Sequence, residues 1–452
     1  MNMNPVYSLP LPPGNLGLPF FRQNKKIQKN HQNIIEEIYQ KYGPIYKTRL
    51  LGKKFILFQG YEAVKFVVTN GNQYFTSANK NQYFTSTEVF RNYQIIYGQS
   101  DITVLVDKEH IDRQKLLSKT LKNKVLDNYI NTIHNLSHSY FSKWIKYDFV
   151  DLYFEINNYT LDLVSKLLLG IDCGSKTEIG NYLKDMISGL NTIPLAFPWT
   201  KLGRALKSKD KLFHQFEQII IKRQQESDFG SDVLGILLTV QQQTNNKLTV
   251  REIVEQMVNL LALGRKELSS ALTSFLILTS EHSDVLKSLQ IEQEKLDRAE
   301  PLSLAKLKKM VYLEQVIKEV LRLAPPVSCG FRQVIQDFSF QGFRIPKGWY
   351  ISYQVNSVLQ DPEIYDQPER FNPERFNTAN AEDKKKPFCY IPFGGGAREC
   401  IGKEFAYLVI KIFISSLLDN CSWKFKENQD LTINKFPVAR PANKIEVCFT
   451  NG

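Results

Sequence analysis

The sequence predicts a mostly α protein with minor β, on three observations. Apolar residues recur with the helical period from residue 108 to about 320. Short strand-like pieces flank this body at 45–59 and 332–356. A last apolar helix follows Gly402, after an irregular stretch punctuated by prolines. No Gly/Ser-rich or Pro-rich linker divides the interior, so residues 1–20 read as a proline-rich lead-in and 21–452 as one domain. A hydrophobic content of 43% suffices for a sizeable core.

Taken in chain order, Leu9 to Gly14 reads as a stiff extended lead-in. Residues 30–42 look helical, and Ile45–Arg49 with Phe55–Phe58 form a hairpin. The hexapeptide Asn72 to Ser77 recurs as Asn81 to Ser86. One unit copied once is too short for a solenoid and lengthens a loop. Long amphipathic helices are predicted at 108–135, 152–170, 209–226, 250–282 and 306–323, with Pro194, Pro198 and Gly203 breaking the middle. The strand pieces at 332–356 turn around Ile345 to Gly348; residues 361–393 are irregular, and the last helix ends near Leu418.

Composition narrows the function. The net charge of +12, from 58 basic and 46 acidic residues, suits either solubility or an acidic partner met by electrostatic steering. Nucleic-acid binding is disfavoured, because the lysines are scattered and the dense run Lys384 to Lys386 sits in a loop-like stretch. Six cysteines, at 173, 329, 389, 400, 421 and 448, form no C-x-x-C pair, which argues against zinc and c-type haem attachment. Their irregular spacing suits reduced thiols inside a cell. Residues 1–13 hold no apolar run of signal or membrane-span length, so neither secretion nor a transmembrane segment is expected, while peripheral contact with a membrane stays open.

The strongest signal is Pro392 to Gly402, PFGGGARECIG. Three glycines permit a tight turn and close backbone approach to a flat ligand. Cys400 lies at the mouth of the last helix, whose free N–H groups favour a thiolate, and a thiolate can ligate iron. A lone cysteine in a glycine-rich turn is ordinarily structural; an ungapped F-x-x-G-x-R-x-C-x-G is not. At this spacing the chain resembles the cytochrome P-450 superfamily. The resemblance implies that family's fold, with haem b between a long central helix and the cysteine loop. It implies Cys400 as the axial thiolate and metal ligand, Phe393 beside the sulfur, Gly394 and Gly402 shaping the loop, and Arg398 at a haem propionate.

Other motifs extend the resemblance over nearly the whole chain. Glu319 and Arg322 share a helix face at i and i+3, which alone is an ordinary ion pair. Followed by Pro325-Pro326 and by Phe371 to Phe376, they match the family's buried Glu-Arg-Arg network, completed by Arg375. Arg332 and His110 match further propionate contacts. Four residues after His110, where many relatives carry Arg, stands Gln114, flanked by Arg113 and Lys115 as substitutes. Pro12-Pro13-Gly14, Lys41 to Pro44, Phe340 to Phe343 and Pro346 to Trp349 also match. The detail is most similar to the cyanobacterial and animal branch that includes retinoic-acid hydroxylases, which implies a lipophilic or aromatic substrate and a cytoplasmic, cyanobacterial setting.

One stretch departs from the family. The central helix there usually reads A-G-x-(D/E)-T, and the acid and alcohol pass protons toward the iron. Here it reads Leu263 to Ala271, LGRKELSSA: Gly264 is kept, Lys266 holds the acid position and Glu267 the threonine position. Gly264 and Glu267 are therefore the candidate catalytic residues. Two readings follow. In one, Glu267 or an ordered water takes over proton delivery and the enzyme hydroxylates. In the other, it couples phenols in secondary metabolism without inserting oxygen, a chemistry less dependent on the alcohol, with the duplicated loop at 72–86 reshaping the pocket. A haem-binding sensor without turnover is a third reading, although no regulatory module is visible. No flavin domain is fused, so electrons are expected from a separate ferredoxin or flavodoxin, and a monomer is expected.

Overall fold

The structure, a computed structural model, describes residues 5–17, 31–50, 52–70, 75–76, 88–172, 174–190, 192, 195–244, 247–296, 300–436 and 438–452. The duplicated loop lies outside these, apart from Phe75 and Thr76, as does Cys173. The first half runs α1 (His31–Tyr42), β1 (Ile45–Leu50), β2 (Lys53–Phe58), α2 (Tyr61–Thr69), β3 (Phe75–Thr76), α3 (Glu88–Tyr97), α4 (Asp107–Leu121), α5 (Asp127–Trp144), β4 (Val150–Asp151), α6 (Leu152–Leu169) and α7 (Glu178–Ser188). Then come α8 (Lys201–Gln224), α9 (Val233–Gln242), α10 (Val250–Ser280), α11 (Ser283–Glu294), α12 (Leu304–Lys309) and α13 (Val311–Leu323). The chain finishes with β5 (Cys329–Val334), β6 (Phe338–Phe340), β7 (Phe343–Ile345), β8 (Tyr350–Gln354), α14 (Val355–Leu359), α15 (Lys403–Asn420), β9 (Cys421–Phe425), β10 (Ile433–Asn434), β11 (Arg440–Pro441) and β12 (Glu446–Asn451). The mostly α, minor β class holds.

Helix α10 is the axis of the body. It opens on a capping box: the Thr249 hydroxyl accepts from the Glu252 amide, and the Glu252 carboxylate accepts from the Thr249 amide. It then buries Val254, Met257, Leu261, Leu272 and Phe275 against the largest core cluster, which also takes in α6 and α15. A five-stranded sheet in the order β1-β2-β8-β5-β3 stands apart over a second cluster. Its β2–β8 contact is parallel, with Phe55 opposite Tyr350, and joins the N-terminal hairpin to the C-terminal third of the chain.

The lead-in is docked rather than free. Lys47 N donates to Pro13 O at 2.7 Å, and Arg344 N donates to Pro10 O at 2.8 Å. Gly14 is required there: at φ +117°, a Cβ would stand 2.3 Å from the Lys47 carbonyl.

Several expectations are corrected. The helix predicted at 108–135 is interrupted at Lys122, which is extended (φ −138°, ψ 163°), and the one at 306–323 breaks at Met310. Gly203 does not break a helix; it lies in the first turn of α8, where its amide donates to the N-cap Thr200 hydroxyl at 3.0 Å. Helix α2, built on Val64, Val67 and Val68, was not expected, because β-branched residues score low for helix. Burying those three valines under the sheet outweighs the propensity.

Candidate active site

The cysteine loop folds on its own backbone. Gly394 N donates to Ile391 O at 3.0 Å, Cys400 N to Phe393 O at 3.0 Å, and Ala406 N to Gly402 O at 2.8 Å. Gly396 sits at φ +67°, and a Cβ on it would lie 2.1 Å from the Val68 carbonyl oxygen, so α2 is pressed directly on the loop. The Phe393 ring stands 5.5 Å from that of Tyr407 and ties the loop to α15. Gly394 (φ +72°) and Gly402 leave space: a methyl at 402 would stand 3.8 Å from Cys400 Sγ. The Cys400 thiol is accessible although protein surrounds it at longer range, so it opens on an internal chamber.

The opposite wall of that chamber is α10. Residues 253–259 and 268–277 are buried, but 263–267 are each partly exposed, so the helix passes open space there. A methyl on Gly264 would touch only Val164, at 3.6 and 3.9 Å, so helix packing does not require the glycine. Glu267 Oε2 is buried and has no hydrogen-bond partner. Burial pushes its carboxyl up to about 7, against the opposing charges of Lys266 and Arg265. Its charge also acts through space on the Cys400 thiol.

Burial pushes Cys400 up to about 11, with the Gly402 backbone opposing and Glu267 adding to the rise. Desolvation thus opposes the thiolate that the mouth of α15 favours. A bound cation reverses this, since a coordinating thiol is deprotonated outright.

Two guanidiniums and an imidazole from distant segments converge at the edge of the loop. Burial, then Arg398 and Arg332, push His110 down to about 4. Burial and Arg332 push Arg398 down to about 10, with Asp107 opposing. Arg398 is held by Leu105 O at 2.6 Å, and Arg332 lies over the Tyr353 ring at 5.2 Å. Such mutual repulsion is unfavourable until an anion joins it. Arg113, offered by the sequence as a substitute propionate contact, does not face this cluster. It is buried and donates to Ser100 O and to Glu252, both at 2.9 Å, tying the loop before α4 to α10. Lys115 is exposed.

Beneath the loop lies the predicted network. Arg322 grips Glu319 through two bonds, Nε to Oε2 at 2.7 Å and Nη2 to Oε1 at 2.8 Å. Arg375 Nε reaches Glu319 Oε1 at 3.1 Å, and all three side chains are buried. Sequence reasoning missed a fourth member. Arg375 Nη1 donates to Glu382 Oε2 at 2.8 Å, so two carboxylates balance two guanidiniums. Although burial raises it, bonds from Arg375 and Lys385 hold Glu382 below the usual carboxylate range. No family motif marks Glu382, and its position in a turn gave no periodic signal.

The model of the Cytochrome P-450 family matches residues 12–449, almost the entire chain. The chain is a cytochrome P-450. It is 36% identical over 440 residues to cytochrome P-450 120 of Synechocystis sp., covering 97% of each protein. To cytochrome P-450 26A1 of Danio rerio it is 28% identical, over 99% of this chain and 92% of that one. The solved structure of retinoic acid-bound cyanobacterial CYP120A1 superposes with a TM-score of 0.90 at 35% identity, over 98% of this chain and 100% of that one. The chain is accordingly a haem-thiolate oxidoreductase, and cytochromes P-450 use haem iron with a cysteine thiolate.

This structure fits that group. Cys400 is the thiol that faces the chamber, and the cradle of Gly394, Gly396 and Gly402 keeps the loop close beneath it. Arg332 and Arg398 form a cationic edge that two propionates would neutralise, with the His110 imidazole beside them as a hydrogen-bonding group. Among the described residues, no helix is long and apolar enough to cross a membrane.

Proposed function

We propose that this cytochrome P-450 hydroxylates a lipophilic small molecule, with Cys400 as the axial thiolate and Glu267 as the proton-handling group. Retinoid-like acids are the first class to test, because retinoic acid is the ligand of the solved cyanobacterial relative. The observation that carries the reading is Glu267: a carboxyl with one unpartnered oxygen, raised to about 7, facing the Cys400 chamber. Haem, when bound, supplies the iron at which dioxygen is activated. The chain supplies an acid that is half-protonated near neutrality, where general acids work best. Gly264 leaves the neighbouring helical turn uncrowded.

Glu267→Gln keeps fold and haem but lowers turnover at least about tenfold, a floor set below the ~10²–10⁴-fold that one acid–base group typically contributes. Wild-type turnover falls as pH rises through about 7, where the acid ionises, and the Gln variant lacks that limb. Ionising Glu267 also works against the fold, because its proton affinity is raised from 4.5 to about 7 on folding: this contribution is complete at low pH and lost as pH rises through that window. A second reading, oxidative phenol coupling, rests on the same carboxylate accepting a phenolic proton. Glu267→Thr separates the two. A hydroxylase with a displaced relay keeps its product, whereas a coupling enzyme loses substrate affinity and shifts toward hydroxylated material. Unchanged turnover and products in both variants would remove Glu267 from the chemistry.

A ferredoxin or flavodoxin is the proposed electron donor, docking on the Cys400 side. Lys122, at the break between α4 and α5, acts electrostatically on the Cys400 thiol and joins the exposed Lys115 as a candidate contact. Lys403 is half-neutralised by Glu399 at 2.9 Å, and Arg113 is withdrawn into the core. Exposed charges are screened over ~8 Å at physiological salt, so electron-transfer rates fall as ionic strength rises and fall further in Lys122→Glu. A salt-independent rate in both proteins counts against the assignment.

A further inference from the structure

Two of the chain's six histidines stand one helical turn apart on α5, far from the cysteine loop in sequence. His134 and His138 are both partly exposed, and their Nε2 atoms lie 3.0 Å apart. We propose that this pair is a binding site for a divalent transition-metal ion of the zinc, nickel or copper class, separate from the haem.

The two Nε2 atoms share a hydrogen bond, the ring centroids stand 4.3 Å apart and the interplanar angle is 51°. The same close approach suits a shared ion. Two nitrogens bound to one zinc ion at ~2.0–2.1 Å, with an angle between 90° and 110°, are about 2.9–3.4 Å apart. The observed separation falls inside that interval, so an ion can be chelated without either side chain moving far.

The surroundings fit a weak, ion-selective site. An i, i+4 pair on a helix presents both rings to the same side of one face. Asp419, in the last turn of α15, is an exposed carboxylate close enough to act on His138 electrostatically, which adds negative potential. Among the described residues, no cluster of three or more His, Cys, Asp or Glu side chains is arranged as a metal site, so water completes the coordination shell. Neutral imidazole favours copper, nickel and zinc over magnesium and calcium. An occupied site staples two successive turns of α5, the helix that packs Ile133, Tyr140, Phe141 and Trp144 into the main core beside α15.

The test is calorimetric titration of haem-loaded, chelator-treated protein with zinc chloride, alongside magnesium chloride. Zinc gives one saturable binding event and raises the melting temperature, and magnesium does neither. His134→Ala and His138→Ala each lose that event while keeping the haem spectrum, and His138→Asn serves as a second variant should alanine disturb the helix. Absence of zinc binding to the wild type overturns the proposal and leaves a bare imidazole pair. Zinc binding that survives in the His134 and His138 variants also overturns it, because the ion then sits elsewhere, for example on the partly exposed Cys448.

Discussion

Cys400→Ser abolishes the strongly red-shifted Soret band that thiolate-ligated haem gives when reduced under carbon monoxide. Serine keeps the loop's backbone bonds, including Cys400 N to Phe393 O, so the loss isolates the ligand from the fold. An alcohol oxygen cannot supply the electron push of a thiolate. Cys389→Ser is the matched control. That thiol is fully buried and points away from the chamber, its sulfur 3.2 Å from the Asp383 carbonyl oxygen. Burial pushes it up, with the backbone amides of Lys386 and Lys385 opposing. The control variant keeps the band. The reverse pattern, with the band lost at 389 and kept at 400, would show that the iron is held elsewhere.

Removing one member of the Glu319–Arg322–Arg375–Glu382 network is the second large effect. Breaking a buried ion pair from one side costs ~3–5 kcal/mol, because the partner is left charged in a dry interior. Against a folding stability of about 5–15 kcal/mol, that threatens the domain. Glu319→Ala is the most damaging, since one carboxylate accepts from Arg322, from Arg375 and from the Asn372 amide at 2.8 Å. Arg322→Ala additionally frees the carbonyls of Leu359 and Pro368, which that guanidinium now holds at 2.9 and 2.7 Å. Each variant, including Arg375→Ala, is expected to purify with little haem and a lowered melting temperature. Glu382→Gln tests the fourth member: if it melts like wild type, charge balance is not what Glu382 contributes. Normal haem content in all the alanine variants would rule out the network as the support of the cysteine loop.

The parts legible in the sequence were those with a local signal. The cysteine loop and the Glu319–Arg322 pair are contiguous or one turn apart, and spacing alone locates them. The long amphipathic helices were found by period, but their interruptions were not. Lys122 and Met310 are helix-compatible residues, so no breaker in the sequence marks either interruption. Gly203 illustrates the opposite error, a breaker residue that a hydroxyl cap turns into a helix start. The balancing role of Glu382 and the diversion of Arg113 to Glu252 are contacts between segments. Neither leaves a trace in composition or period.

The seam between the two ends of the chain bears on how the protein is made. Phe55 pairs with Tyr350, the Gly60 amide bonds the Ser357 hydroxyl 297 residues later, and the Val68 carbonyl closes on Gly396. The N-terminal hairpin thus leaves the ribosome without its sheet partner. At ~5–20 residues per second, the missing strand arrives on the order of 15–60 s later. Through that interval Phe55, Ile56, Leu57 and Phe58, all buried in the finished protein, have no native cover from β8. The cysteine loop cannot rest on α2 until the last quarter of the chain is synthesised, so haem capture is a terminal event of biosynthesis, and a stalled or truncated chain presents an uncovered β edge rather than a partly working enzyme.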